Sequence, residues 1–267
     1  MFKIILLLLC LTFSTSHAAS FKCNYDPGVW GYIKDAYCCD VQNSLSITSL
    51  DAAQVDSVTG RHKPGHNNDN VDFLSIEGAG KVHYFPHGLD KIFKNLKGIQ
   101  IYGTGLKQVR QVDLKDFPNL TNLYLDHNYL KILEKDLFKF NPNLEVISLY
   151  SNRITHIDPN VFDGLTKLKT LNLGSNDCIN MSAVKNPTAV QNVIKTASTK
   201  CSNSDYLNLE QKVRNLEAES ATLSSEQLKE KLQNLEIESQ DLYLPYFFQQ
   251  EIQDLKAVQV KKAQEEA

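Results

Sequence analysis

Six cysteines, seven histidines and two glycosylation sequons are the residues of this chain with the most chemistry to offer. Cys10 lies in an apolar run near the start, which leaves Cys23, Cys38, Cys39, Cys178 and Cys201 in two clusters with none between them. No C-x2-C pair is present, so thiolate metal ligation lacks its usual spacing, and disulfide formation in an oxidising compartment is the better use of these residues. Five cysteines pair into at most two bridges and leave one over. His62 and His66, and His83 and His87, are spaced i, i+4, as two metal ligands on a helix would be. Pro64-Gly65 and Phe85-Pro86 interrupt those pairs, so neither segment is a regular helix and the histidines read as loop residues. No H-E-x-x-H, G-x-S-x-G or nucleotide-binding loop occurs, and no Cys–His dyad or close carboxylate pair stands out; neither a metal, a cofactor nor an enzymatic activity is expected. Asn119-Leu120-Thr121 and Asn180-Met181-Ser182 are formal acceptors for N-linked glycan. Asn119 precedes a strand at a turn and is the more accessible of the two.

The elements that must position these residues begin with the compartment. Lys3, the apolar run Ile4 to Phe13, and Ser16-His17-Ala18 give the three parts of a secretory signal, removed after Ala18. No later stretch is apolar for 18 residues, so a secreted, extracellular protein without a membrane anchor is expected. In the 267 residues, 28 basic residues face 31 acidic ones for a net charge of −3, a balance that argues against nucleic acid as a partner. With 42% hydrophobic residues a sizeable core is available.

A repeat sets the architecture. LKGIQIYGTGL from Leu96, LTNLYLDHNYL from Leu120, LEVISLYSNRI from Leu144 and LKTLNLGSNDC from Leu168 start 24 residues apart, and VDFLSIEGAG from Val71 is a degenerate copy 25 residues earlier. This is the leucine-rich-repeat (LRR) pattern L-x-x-L-x-L-x-x-N-x-L. The expected fold is an α/β solenoid with a short parallel β-sheet on its concave face. Asn128, Asn152 and Asn176 should bond backbone groups that each turn leaves unpaired, with Thr104 in their place one unit earlier. Leu106, Leu130 and Ile154, and then Val109, Leu133 and Ile157, should stack in layers behind the strands. Leu114, Phe138 and Phe162, and Phe93, Phe117 and Leu165, should form the layers beyond. These aromatics read as core.

An open solenoid needs both ends covered. Cys178 takes the position of the last repeat leucine, and Cys201 follows a helix-like stretch with Val190, Val193, Ile194 and Ala197 on one face. A Cys178–Cys201 bridge would clamp that helix over the final layer. At the front, Tyr37, Cys39 and Val41 share the apolar parity of a strand, whereas Cys38 and Asp40 share the polar one. Parity favours Cys23–Cys39 and leaves Cys38 exposed, as a free thiol or an intermolecular bridge; Cys23–Cys38 is the rival pairing. The domain plan is therefore signal 1–18, N-terminal cap 19–70, repeats 71–178, C-terminal cap 179–204 and a tail at 205–267.

In that tail Leu209, Val213, Leu216 and Leu223, and then Leu228, Leu232, Leu235 and Leu242, fall at coiled-coil spacing. The register slips between Leu223 and Leu228, which kinks the helix, and Pro245 should end it. Ile252 and Leu255 support a second, shorter helix. Thirteen acidic against seven basic residues make the tail strongly acidic. It reads either as a helix capping the solenoid or as one that pairs with another chain. Its heptads over 205–244, together with Cys38, predict a homo- or heterodimer.

Signal, repeats, flanking cysteines and helical tail together resemble secreted LRR proteins of flies and mosquitoes. That group includes haemolymph immune proteins with a C-terminal coiled coil that form disulfide-linked complexes and bind complement-like factors. Those proteins carry their intermolecular cysteines just before the coiled coil, whereas here the adjacent pair lies at the front. The resemblance implies a protein ligand held on the concave face and a role in innate immunity. On this face we expect Tyr102, Tyr124, Asp126, His127, Ser148, Tyr150 and Asn172 to make the contacts, since tyrosines among mixed polar neighbours compose a recognition surface. The expected function is a non-catalytic binding protein for a protein or microbial ligand; the alternative is an extracellular-matrix or adhesion scaffold.

Overall fold

The computed structural model describes residues 19–27, 36–50, 52–78, 80–202, 204–239 and 246–266; the expected signal at 1–18, and Leu242 and Pro245, lie outside the described residues. The N-terminal region forms β1 (Ala19–Pro27), β2 (Tyr37–Val41), β3 (Leu45–Ile47) and β4 (Val55–Thr59). The repeats follow as β5 (Phe73–Glu77), β6 (Gly80–Val82), α1 (Leu89–Ile92), β7 (Gly98–Tyr102), α2 (Gln111–Leu114), β8 (Asn122–Tyr124), β9 (Ile132–Leu133), β10 (Val146–Ser148), β11 (His156–Ile157) and β12 (Thr170–Asn172). Then β13 (Ser182–Ala183) and α3 (Pro187–Lys200) close the array. The tail is α4 (Ser204–Glu219), α5 (Ser225–Ser239) and α6 (Tyr246–Glu266).

β2, β5, β7, β8, β10 and β12 run parallel in one sheet. β1 and β4 extend it at the front, and antiparallel β13 ends it. The register is constant, so each strand position forms a row across the sheet. Cys39, Leu74, Ile99, Leu123, Ile147 and Leu171 are one such row, and all are fully buried. Each rung thus buries its apolar side only against its neighbours.

Asparagines hold the rungs together. Asn128 Oδ1 accepts from the backbone N–H groups of Thr104, Gly105 and Leu106 at 3.0–3.1 Å, while its amide donates to Ile101, Leu125 and Asp126 carbonyls. Asn152 and Asn176 repeat the scheme, taking Leu130 N–H and Ile154 N–H respectively. A turn in the left-handed region recurs just beyond each strand, at Gly103, His127, Ser151 and Ser175. The N–H groups of Gly103, His127 and Ser151 bond the carbonyl of the next rung. Behind the sheet, Phe138 stacks on Phe162 at 6.0 Å, and Phe93 and Phe117 are buried. Asn141 fills the position between Phe117 and Leu165, where the layer would otherwise want an apolar residue. It is fully buried and donates to the Leu114 and Phe117 carbonyls.

Both caps contain disulfides. Cys23–Cys39 joins β1 to β2, and Cys178–Cys201 ties the last rung to the end of α3. Pro187 starts α3 at its first turn, with Asn186 capping it by accepting from Ala189 N–H. Val190, Val193 and Ala197 are buried on the face turned to the array. Cys38 is half-buried, not exposed: its thiol donates to the Ala36 carbonyl at 3.5 Å and packs beside Ala36, Phe73 and Tyr124. The strand parity was sufficient to aim it outward, but other side chains cover it there.

The tail also departs from expectation. Residues 205–244 are not one kinked helix; α4 ends at Glu219, and a turn through Ser220–Ser224 separates it from α5. Leu209, Val213, Leu216, Leu228, Leu232, Leu235, Ile252 and Leu255 form one buried cluster, so the heptad stripe packs within the chain as a three-helix bundle. Pairing this stripe with another chain would require the bundle to open. Lys262 Nζ donates to the Ala221 and Leu223 carbonyls, and Glu266 accepts from Ser225 N–H and Oγ, which pins the end of α6 to that turn.

Candidate functional site

The outward faces of the sheet carry three rows. The first runs Cys38, Phe73, Gly98, Asn122, Val146 and Thr170. The second holds Asp40, Ser75, Gln100, Tyr124, Ser148 and Asn172. The third follows the strand ends, where Glu77 is opposite Tyr102 and where Asp126, Tyr150 and Gly174 continue at the repeat spacing.

Tyr124 requires a correction. It points outward yet is only 8% exposed. Its hydroxyl accepts from the Asn122 amide at 3.1 Å, so the ring lies down along its own strand. Phe73 meets it at 6.3 Å, across a rung where Gly98 offers no side chain. Ala36, Cys38 and Val146 close the patch. Ser148, at 7% exposed, is also withdrawn from contact, and its hydroxyl donates to Asp126 Oδ1 at 2.5 Å. Nothing in the repeat pattern names Phe73 or Val146 as members of this face; the cross-strand register does.

At the strand ends the structure brings together Tyr102, His127 and Tyr150. Tyr102 and His127 rings are 4.9 Å apart, and His127 meets Tyr150 edge-on at 5.3 Å. The two tyrosines are 40% and 38% exposed. His127 reaches its place from a backbone at φ 56°, a region that costs a non-glycine residue free energy. Gly174 continues the ladder as a gap, since a Cβ there would come within 3.1 Å of the Tyr150 ring. Asp126 supports the ladder from beneath, its Oδ1 accepting from Tyr150 N–H at 2.7 Å as well as from Ser148. Burial pushes the Asp126 carboxyl above the usual carboxylate range, although those two bonds and the neighbouring His127 oppose it. Asn172 is half-buried and accepts from Gly174 N–H. The result is a wet aromatic edge beside a dry patch around Tyr124, with a hydrogen-bonded carboxylate between them.

The other candidate residues have structural employment. His62 stacks on Tyr25 at 3.8 Å and bonds Tyr37 and Asn68, and the His66 ring packs on Tyr37. His87 meets the buried Asp113 at 2.8 Å, alongside Arg110. Burial raises the Asp113 carboxyl, but the bonds from His87 and Arg110 outweigh it and hold the group below the ordinary carboxylate range. Among the described residues, no group of three or more His, Cys, Asp or Glu side chains could hold a metal ion, and no helix is long and apolar enough to cross a membrane. Asn119 and Asn180 are both exposed, and Asn180 Oδ1 accepts from Ser175 N–H.

The rungs, the asparagine ladder and the two bridged ends define a leucine-rich-repeat solenoid. Residues 118–177 match the leucine rich repeat family. A stretch of 70 residues is 39% identical to Toll-like receptor 3 of Boselaphus tragocamelus, covering 26% of this chain and 7% of the receptor. Toll-like receptor 3 of Bos taurus is 42% identical over 55 residues, 21% of this chain and 6% of that one. The chain therefore spans well under a tenth of the curated relatives it matches. Among solved structures, the Toll–Spatzle complex from Drosophila aligns at 18% identity and a TM-score of 0.38, covering 48% of this chain and 18% of that one. The APL1 leucine-rich repeat domain aligns at 21% and 0.36, covering 50% and 33%.

Proposed function

We propose that this protein is a secreted, non-catalytic binding protein that captures a protein or microbial surface ligand on its concave face, in innate immunity. The observation that carries the reading is the ladder of Tyr102, His127 and Tyr150, rings held in line and left exposed on one edge of an otherwise hydrogen-bonded sheet. Exposed tyrosines give large contact area with few rotors to order, which suits recognition. The local likeness to Toll-like receptors agrees with a recognition role, and the immune setting follows from the resemblance to secreted LRR proteins.

Contacts centre on Tyr102, His127 and Tyr150, with Asp126 positioning Tyr150 and Asn172 holding the turn at Gly174 beside them; Tyr124 and Ser148 act as floor. The test is capture of soluble proteins from insect haemolymph, and of bacterial cells, by the wild type and by Tyr102→Ala/Tyr150→Ala. Loss of capture with an unchanged melting temperature is the expected outcome. Equal capture by the variant would move the site off this face.

A further inference from the structure

On the flank where the chain leaves the sheet, the residues on either side of each buried repeat position point outward in two rows. Val82 and Leu106 are consecutive buried positions, followed by Leu130 and Ile154. The rungs are joined by backbone bonds from Lys107 N–H to His83, Tyr129 N–H to Leu106 and Arg153 N–H to Leu130 carbonyls. The row before the buried position therefore reads Lys81, Gly105, Tyr129, Arg153 and, at the last rung, the acidic Asp177, and the row after it reads His83, Lys107, Lys131, Thr155. Rungs of a sheet are about 5 Å apart, so the basic groups span roughly 15 Å.

The side chains form one continuous patch. Arg153 lies over the Tyr129 ring, with its guanidinium carbon 4.2 Å from the ring centre. Gly105 opens a shallow seat between His83 and Tyr129, whose rings stand 3.5 and 3.6 Å from where its Cβ would be. Lys81, Lys107 and Arg153 are exposed, and among the described residues none of them takes part in an ion pair. The proton affinity of His83 falls chiefly through burial and then through the charges of Lys107 and Lys81, which places both lysines in its field. Unpaired cations gathered like this repel one another, and an anion relieves that cost. Elsewhere on the solenoid, Lys97 and Lys169 are neutralised across rungs by Asp72 and Glu145. On this flank three exposed cations gather on neighbouring rungs without such a partner.

We infer that Lys81, His83, Lys107, Tyr129 and Arg153 form a second binding site, separate from the concave face, for a linear sulfated polysaccharide. Regularly spaced cations fit a chain of regularly spaced sulfates, and the Arg153 fork suits bidentate contact with sulfate oxygens. A single-stranded nucleic acid would want open ring faces for its bases, whereas Tyr129 already carries Arg153 on one face.

The experiment is retention of the full chain on immobilised heparin in a salt gradient, with affinity then measured against salt concentration. The variants are Lys81→Gln/Lys107→Gln/Arg153→Gln and, as an equal charge change at exposed lysines on the opposite loops, Lys94→Gln/Lys115→Gln/Lys139→Gln. The wild type and the second variant should be retained alike. The first variant should elute at much lower salt, with the slope of log affinity against log salt smaller by about three, one per charge removed. Fully desulfated heparin should fail to compete. Equal retention of the two triple variants would overturn the site, as would failure of the wild type to bind heparin at 0.1 M salt. Single-stranded RNA competing as well as heparin, weight for weight, would replace the polysaccharide with nucleic acid. Circular dichroism melts of both variants separate a lost site from a lost fold.

Discussion

The solenoid and the tail are both built on leucines at regular intervals, and they solve burial in opposite ways. In the solenoid the interval is 24 residues, so each leucine meets its counterparts on neighbouring rungs. The stack has two open ends, and each turn leaves backbone groups that Asn128, Asn152 and Asn176 must satisfy. In the tail the interval is three or four residues. Each helix satisfies its own backbone and needs partners only for a stripe, which α4, α5 and α6 supply to one another, with Ile132 of β9 packed against the cluster. An array of rungs is thus dependent on polar side chains inside and on caps outside. A bundle fills its interior with apolar side chains and keeps its polar bonds, such as those of Lys262 and Glu266, at its margin.

Removing an interior amide should break the array hardest. Asn128→Ala strands three N–H groups and three carbonyls in a buried turn, and a loss of about 4 kcal/mol or more is expected in urea unfolding. A loss below about 1 kcal/mol would mean that water replaces the amide and that the comparison overstates its role.

His156 gives the array a pH dependence of its own. It is buried between rungs, and burial brings its pKa down to about 4, against a smaller opposing contribution from the Cys201 backbone. Because the folded value lies below the unfolded one of about 6.5, the unfolded chain binds more protons between those limits. Stability is then whole above about pH 6.5 and falls as the pH drops toward 4, by roughly 3 kcal/mol from this group. Urea titrations at pH 7 and 4.5, compared between the wild type and His156→Phe, should show a smaller fall in the variant by about the share this group contributes. A wild-type protein more stable at pH 4.5 than at pH 7 would contradict the assignment.

Leu228→Ala should cost the tail about 3 kcal/mol, the usual loss for a buried leucine. Hydrogen exchange would locate the loss in residues 204–266, with amides of 96–176 unmoved. Equal acceleration in both regions would show that they unfold as one unit, which would erase the distinction between array and bundle.

The smallest effect is expected at His127→Gly, which relieves the left-handed backbone but adds chain entropy on unfolding, for a net change from zero to about 1 kcal/mol in favour of folding. Ligand capture should weaken despite that gain. Weaker folding together with undiminished capture would make the ladder a structural feature.

Much of the solenoid can be read directly from spacing, because period and side-chain alternation are properties of the covalent chain. Leu123 must point opposite to Tyr124, and an asparagine at every unit's turn must face backbone. The site is legible only in direction. Tyr124 was expected among the contacts because alternation turns it outward, but its burial depends on Phe73 and Gly98 on other rungs, which no local pattern links to it. Asn141 is invisible to the apolar pattern because its residue type breaks the layer it completes. The edge role of β1 in extending the sheet left no periodic trace, since one strand has no period.

The tail shows the same boundary. Heptad spacing fixes which stripe of each helix is apolar and is indifferent to whether the covering stripe belongs to the same chain or another. The turn at Ser220–Ser224 and the clasp of Lys262 and Glu266 decide that it is the same chain. The sequence alone determined the rungs, their period, the inward and outward faces and the helical character of the tail, all consequences of local geometry repeated along the backbone. Only the tertiary structure decided which outward residues remain exposed, because exposure depends on what crosses from neighbouring rungs, and that is set by register and stacking.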